Sequence, residues 1–326
     1  MSTNYNRLAE LAREDGQRQF TSIAHFLTLQ ALEDAFRSLR KDASAGVDGV
    51  TYAEYATNAG ENLAKLHDRL RSGSYRAQPL CRIYIPKESG EARPISIPVL
   101  EDKIVQKATV ELLNAIYEQD FLECSYGFRP GRSAQQALDE VGRIICQQGT
   151  AYVLEADIRG YFDAIVREQL MEMIEKRVRD GSMLRLIRKW INVGVIDDGR
   201  LLITETGTGQ GQVISPLLAN LYLHYVLDEW FEQDVKPRLR GRAFEIRFCD
   251  DFVCCFEYRE DAERVLRVLA KRFAKYGLSL HPDKTRLIEF GRDAAANARR
   301  RGEKKPATFD FLGFVRHVRC IYGCYA

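Results

Sequence analysis

Phe244-Glu245-Ile246-Arg247-Phe248-Cys249-Asp250-Asp251-Phe252-Val253-Cys254-Cys255-Phe256 reads as two apolar-rich strands joined by a tight turn, with adjacent carboxylates at the tip. Neighbouring aspartates between apolar strands repel each other, and their pKa values rise unless a divalent cation neutralises them. A third carboxylate is therefore expected. Asp157 is the candidate, because it ends the apolar-rich stretch Tyr152-Val153-Leu154-Glu155-Ala156. Three carboxylates on neighbouring strands can hold two Mg2+ ions for in-line phosphoryl transfer, and Mn2+ has the ligand chemistry to replace Mg2+.

The strand at 152–158 is followed by Gly160-Tyr161-Phe162-Asp163 and by a helical stretch towards Trp190. Residues 207–215, rich in Gly, Thr and Gln, run into Pro216 and an apolar helix through Leu218, Leu221, Tyr222 and Tyr225. A loop entering a helix N-terminus is a natural place for phosphate. A helix through Ala262, Val265, Leu269 and Phe273 follows the acidic hairpin, ends near Gly277 and leads to His281-Pro282-Asp283-Lys284. This order predicts an α+β fold with a ferredoxin-like βαββαβ core, in which the hairpin carboxylates face the one ending the first strand. That layout is the palm of template-directed polymerases.

Upstream, residues 1–45 are expected to be mostly helical, with Ile23, Phe26, Leu27, Leu32, Ala35, Phe36 and Leu39 on one face, until Ala45-Gly46-Val47-Asp48-Gly49 breaks the pattern. A helix around 62–70 precedes Gly73. Arg82-Ile83-Tyr84-Ile85-Pro86 and Arg93-Pro94-Ile95-Ser96-Ile97-Pro98 predict two strands joined by a hairpin loop at 87–91. Ile104, Ala108, Leu112 and Ile116 have helical spacing, and Ser133-Ala134-Gln135-Gln136 reads as a capping box. Between them, Tyr126-Gly127-Phe128-Arg129-Pro130-Gly131-Arg132 suits either a phosphate or base contact or a plain turn.

At 326 residues with 45% hydrophobic and 29% charged composition, the chain has the make-up of a globular protein of two or three subdomains. It has no apolar run of membrane-spanning length and no secretory leader, and its eight cysteines form no disulfide framework, so a reducing cytoplasm is the expected setting. His317, Cys320 and Cys324 lack a fourth ligand at zinc-finger spacing and read as part of a terminal strand. The net charge of +2 conceals a basic end at 291–326, which suits a polyanion.

Eight segments in order then carry a resemblance. Ala45-Gly46-Val47-Asp48-Gly49, Arg93-Pro94-Ile95-Ser96-Ile97-Pro98, Tyr126-Gly127-Phe128-Arg129-Pro130, residues 157–163, Gly209-Gln210-Gly211 with Ser215-Pro216, Phe248-Cys249-Asp250-Asp251, His281-Pro282-Asp283-Lys284-Thr285 and Phe311-Leu312-Gly313-Phe314 together resemble the bacterial group II intron reverse transcriptase/maturase family. The resemblance implies fingers with an N-terminal extension over 1–150, a palm over 151–290, and a basic segment over 291–326 with a primer-grip-like turn. It implies RNA-directed DNA synthesis, with Asp157, Asp250 and Asp251 as the catalytic, metal-binding carboxylates. Lys87, Arg93, Phe162, Gln210 and Lys284 match nucleotide-binding positions. Arg129, Phe311 and Gly313 match segments near primer or template. The implied partners are dNTPs, a DNA or RNA primer and an RNA template such as intron RNA. A non-polymerising maturase that assists splicing, a defence-associated reverse transcriptase and another two-metal enzyme such as a nucleotide cyclase are the alternatives.

Two departures stand out. The family's metal-binding tetrapeptide usually begins Tyr-Ala, whereas here it is Phe248-Cys249, which sets a thiol beside the carboxylates and suggests sensitivity to oxidation or soft metals. Only a short segment follows Phe314, so the thumb is expected to be largely missing, either because the chain is a truncated or frameshifted copy or because it is a shorter relative in which a partner protein or RNA replaces the thumb.

Overall fold

The computed structural model describes residues 3–86, 92–291 and 293–316. The expected loop at 87–91, including Lys87, and the tail with His317, Cys320 and Cys324 lie outside the described residues. In chain order the described strands are β1 (Leu80–Pro86), β2 (Ala92–Ile97), β3 (Tyr152–Asp157), β4 (Val195–Asp197), β5 (Arg200–Leu202), β6 (Ala243–Phe248), β7 (Asp251–Phe256), β8 (Arg286–Glu289), β9 (Phe309–Phe311) and β10 (Phe314–Arg316). The chain forms two compact units, each drawn from two segments: Met1–Asp120 with Ile165–Leu221, and Phe121–Ala164 with Tyr222–Ala326. Among the described residues, no helix is long and apolar enough to cross a membrane.

The first unit is built around the helix Leu100–Tyr117, whose predicted stripe Ile104, Ala108, Leu112 and Ile116 is fully buried. Its sheet has the order β2-β1-β4-β5. The β1/β2 pair was expected, but the β4/β5 hairpin was not. These strands have three residues each, and β4 is held by parallel pairing to β1 at Leu80 and Cys81, a long-range contact that local periodicity does not report. A local signal did exist: Asp198-Gly199 takes φ values of 47° and 75°, the positive pair that a tight hairpin turn demands. The expected helical stretch towards Trp190 is three helices, Tyr161–Ala164, Arg167–Glu175 and Gly181–Ile191.

Asp180 explains the last of those starts. Its Oδ1 accepts from the Ser182 and Met183 amides at 2.8 and 3.1 Å, capping Gly181–Ile191. Its Oδ2 accepts from the Ile23 and Ala24 amides at 2.6 and 2.8 Å, tying the N-terminal segment to that helix. Burial pushes its pKa up, but the four amides outweigh burial and hold it below the ordinary 3.8.

The second unit carries the expected ferredoxin-like core. Its antiparallel sheet has the order β6-β7-β3-β8, which is what βαββαβ connectivity produces when the first strand sits between the third and the fourth. One face is covered by the helix Ala134–Gln147, opened by the predicted Ser133/Gln136 capping box, and by Phe309 and Phe311 of the β9/β10 hairpin. On the opposite face Phe252 meets Phe273 of the helix Arg259–Lys275, and Phe256 meets Phe231. Phe231 belongs to π-helical turns, His224–Asp228 and Trp230–Val235, that continue the helix Ser215–Leu223. Covered on both faces, the sheet can bury charged side chains only where they are paired.

Asp180→Ala is expected to destabilise the protein by ~2–3 kcal/mol in urea unfolding. Because the folded pKa is depressed, that contribution is complete above the ordinary aspartate range and disappears as pH falls through the folded value. The gap between variant and wild type should therefore close in acid, and a gap independent of pH would contradict this role.

Candidate active site

The β6/β7 hairpin closes with Phe248 opposite Asp251, leaving Cys249 and Asp250 as its two-residue turn. Cys249 sits at φ 60°, as the first central position of such turns requires. On the other side of β7, Asp251 lies directly opposite Asp157 of β3. Directly opposed residues point to the same face of the sheet, so Asp157 and Asp251 share a face at the strand ends, with Asp250 in the adjoining turn. The three carboxylates read from the sequence are thus brought together.

Their electrostatics are those of a cation site. Burial, with the charges of Asp250 and Asp157 adding to it, pushes Asp251 up to about 6 against the opposing pull of the Leu312 amide, which Asp251 accepts at 2.9 Å. Lys284 Nζ lies 2.7 Å from Asp157 Oδ2. The backbone of the Lys284 loop is fastened at the same place, since His281 N donates to the Asp157 carbonyl at 2.8 Å and Thr285 N to that of His281 at 3.0 Å. An all-oxygen donor set of this kind suits a hard divalent cation such as Mg2+.

Beneath the turn lies an arrangement that the sequence reading missed. Arg247 is fully buried and grips Asp228 with Nε at 2.7 Å and Nη2 at 2.6 Å. Its Nη1 donates to the Cys249 carbonyl at 2.9 Å, inside the acidic turn, and Nη2 donates to Ser125 Oγ at 2.8 Å. Burial pulls the Arg247 pKa down, but Asp228 reverses this and raises it, so the guanidinium stays charged. Glu245, also buried, is pushed far above the usual carboxylate range by burial and then by Asp228. Among the described residues its carboxyl oxygens are buried without a hydrogen-bond partner, an environment that favours the neutral acid. Cys124, Asp228 and Glu245 present ligand atoms within 4.8 Å of one another, yet Arg247 already supplies the positive charge there. The available signal was a pair of charged residues, Glu245 and Arg247, inside an otherwise apolar strand.

The Tyr126-Gly127-Phe128-Arg129 segment docks on that hairpin. Tyr126 N donates to the Arg247 carbonyl at 2.8 Å. A Cβ on Gly127 would fall 2.4 Å from Cys249 N, so only glycine permits the approach. Arg129, expected near primer or template, is 7% exposed and donates to the Leu122 and Ser125 carbonyls at 2.7 and 2.8 Å. It therefore holds its own loop, and Phe128, 60% exposed, is the side chain that the loop presents outward. Phe311, from the other expected primer segment, is likewise a core residue, whereas Gly313 and Phe314 are exposed at the hairpin end. Phe162 is half-buried, 5.6 Å from the Tyr161 ring. The Cys249 thiol, set beside the carboxylates, is buried, and burial followed by the Asp250 charge pushes its pKa well up, which disfavours the reactive thiolate.

In the first unit, β2 carries exposed Arg93 and also receives the 207–215 loop, since Ser96 N donates to the Gln210 carbonyl at 2.7 Å. Gln212 and Ser215 lock that loop by bonding the Thr208 carbonyl at 2.8 and 2.7 Å, and the Gln212 side chain also accepts from Gln106 at 2.9 Å. Gln210 is left half-buried.

Residues 85–315 match the family model described as reverse transcriptase (RNA-dependent DNA polymerase). The chain belongs to the reverse transcriptase family. It is similar to Protein YkfC of Escherichia coli (strain K12), 34% identical over 278 residues, covering 74% of this chain and 71% of that protein. It is also similar to the group II intron-encoded protein LtrA of Lactococcus lactis subsp. cremoris, 34% identical over 278 residues, covering 82% of this chain and 46% of LtrA. An uncharacterized 91 kDa protein in the cob intron of Schizosaccharomyces pombe is 39% identical over 189 residues, covering 56% of this chain and 23% of that protein. The chain thus spans under half the length of LtrA, and its family type is that of group II introns. The α+β fold, with its palm-like acidic sheet, is the one expected of this family.

If Arg247 and Asp228 form the support of the turn, Asp228→Asn strands a buried cation and should destabilise the protein by ~3–5 kcal/mol, whereas Glu245→Gln, isosteric with a protonated glutamate, should change stability by less than ~1 kcal/mol at low pH. The raised Glu245 pKa contributes stability below the ordinary glutamate value of 4.5 that is lost as pH rises towards the folded pKa. Glu245→Gln removes this loss, so its advantage should grow as pH rises above the ordinary glutamate value of 4.5, by up to ~1.4 kcal/mol per pH unit. Parallel denaturation curves of variant and wild type at all pH values would refute a protonated Glu245.

Proposed function

We propose that this chain catalyses RNA-directed DNA synthesis, adding dNTPs to a primer 3′-hydroxyl on an RNA template. The observation that carries the reading is the opposition of Asp157 and Asp251 across two strands, with Asp250 in the adjoining turn. Two divalent cations, Mg2+ in the first instance, would be held by these carboxylates; when bound they acidify the primer hydroxyl and neutralise the departing pyrophosphate.

The remaining tasks fall to the chain's own groups. Lys284 compensates the charge of Asp157 at 2.7 Å and carries a cation suited to departing phosphates. Arg93, with Lys87, supplies donors for the triphosphate, and Gln210 touches nucleotide and template backbone. Phe162 excludes a 2′-hydroxyl by shape. Phe128, Gly313 and Phe314 offer exposed apolar surface for primer and template, with Arg129 and Phe311 acting through the loop and hairpin they anchor. Residues 1–150 serve as N-terminal extension and fingers, 151–290 as palm, and 291–326 as the basic segment with the primer-grip turn; the two compact units do not follow these bounds. Intron RNA is the favoured template, on the strength of relatives named for group II introns.

Primer extension on an RNA template with dNTPs and Mg2+ should proceed with the intact chain, stop on chelation, resume on Mg2+ addition, and be lost in Asp250→Asn while RNA binding persists. Tight RNA binding without any synthesis by the intact chain would overturn the polymerase and favour a maturase that only binds. In the same assay Phe162→Ala should raise rNTP incorporation relative to dNTP by ~10–100-fold, the scale on which shape discriminates small groups. An unchanged ratio would remove Phe162 from the sugar site.

A further inference from the structure

The first unit contains a cleft of about 810 Å3 whose lining includes neither Arg93 nor any residue of the 207–215 loop. Its walls are the end of the helix Ala59–Arg71 with the turn after it, the segment around Ala24–Phe26, and one side of the helix Gly181–Ile191. Leu27, Leu70 and Leu186 give it an apolar floor, and Arg71, Arg76, Arg185 and Lys189 give it a cationic rim, joined by the imidazoles of His25 and His67. No aspartate or glutamate lines it.

The cations are held in place by neutral groups. Lys189 Nζ donates to the Tyr75 carbonyl at 2.6 Å and lies 5.5 Å from the centre of the Tyr75 ring. Arg76 Nη1 donates to the Gly73 and Tyr75 carbonyls at 3.2 and 3.1 Å, and Arg185 Nη2 to Ser182 Oγ at 2.9 Å. Tyr75 is itself rigid, since its hydroxyl donates to buried Asp102 and accepts from Trp190 Nε1 at 3.0 Å. Burial, and then the charges of Arg76 and Arg185, lower the Lys189 pKa, the mark of cations crowded together. Neighbouring arginines differ in this respect. Arg188, on the same helix, pairs with Glu175 at 2.5 Å, and Arg69, at the end of the other wall, pairs with Glu101 at 2.6 Å. Among the described residues no such carboxylate partner faces Arg71, Arg76, Arg185 or Lys189.

A concave site with prearranged donors, an uncompensated positive potential and an apolar floor is matched by a compact polyanion carrying an apolar or aromatic group, and its volume is in the range of small-molecule sites. We propose that this cleft binds a nucleoside polyphosphate, phosphates on the arginine and lysine rim and nucleoside on the leucine floor, independently of divalent metal and of the carboxylate site. Arg76 and Arg185 are the forks best suited to phosphate oxygens.

The test is equilibrium binding of ATP and of inorganic tripolyphosphate to the full chain in EDTA at low ionic strength, so that the carboxylates cannot recruit a triphosphate through metal. Both probes should bind, ATP more tightly, and Arg76→Glu and Arg185→Glu should each weaken binding by about tenfold to a hundredfold. Arg188→Gln, with unchanged melting temperature as the folding control, should leave binding intact. Absence of binding by either probe, binding indifferent to Arg76→Glu and Arg185→Glu, or a response of these variants only to a short RNA would overturn the proposal.

Discussion

Arg247 is the point on which the acidic end of the sheet depends. A guanidinium with no solvent exposure requires a counter-ion, and Asp228 provides it through two short hydrogen bonds. The same guanidinium reaches the Cys249 carbonyl, so the turn carrying Asp250 is held from below by a charge that cannot leave. Asp228 can be there because the helix after Ser215 widens into π-helical turns at His224–Asp228. Glu245 joins the group with its pKa pushed far up by burial and by Asp228, so a second negative charge is disfavoured there.

Above that support the geometry concentrates negative charge on one face. Asp157 and Asp251 are opposed across β3 and β7, and the fold answers their repulsion locally with Lys284 and with the Leu312 amide. Two loops thereby acquire fixed positions relative to the carboxylates: the His281 loop through Asp157, and the β9/β10 hairpin through Asp251, with Phe311 sunk in the core. Groups that would otherwise serve only to neutralise charge also aim the loops that flank the site.

Hydrophobic periodicity and turn chemistry were legible without coordinates. The acidic hairpin, the βαββαβ order, the Ser133 capping box and the buried stripe of Leu100–Tyr117 all follow from residues close together in sequence. The β4/β5 hairpin escaped because its strands are three residues long and lean on β1, although Asp198-Gly199 marked its turn. Arg129 and Phe311 were matched to segments near primer or template by the family resemblance, which does not tell which side chain of a segment turns outward. In the fold both are buried, and Phe128 and Phe314 are the exposed neighbours.

Sequence alone determined the candidate carboxylates, three aspartates at strand ends and a turn, and the order of segments around them. Tertiary structure decided which charges meet. The pairing of Asp228 with Arg247, nineteen positions apart, the raised pKa of Glu245 and the tie from Asp251 to Leu312 depend on burial and on distances between segments remote in the chain. Those are properties of the packed interior, where an unpaired charge is too costly to remain.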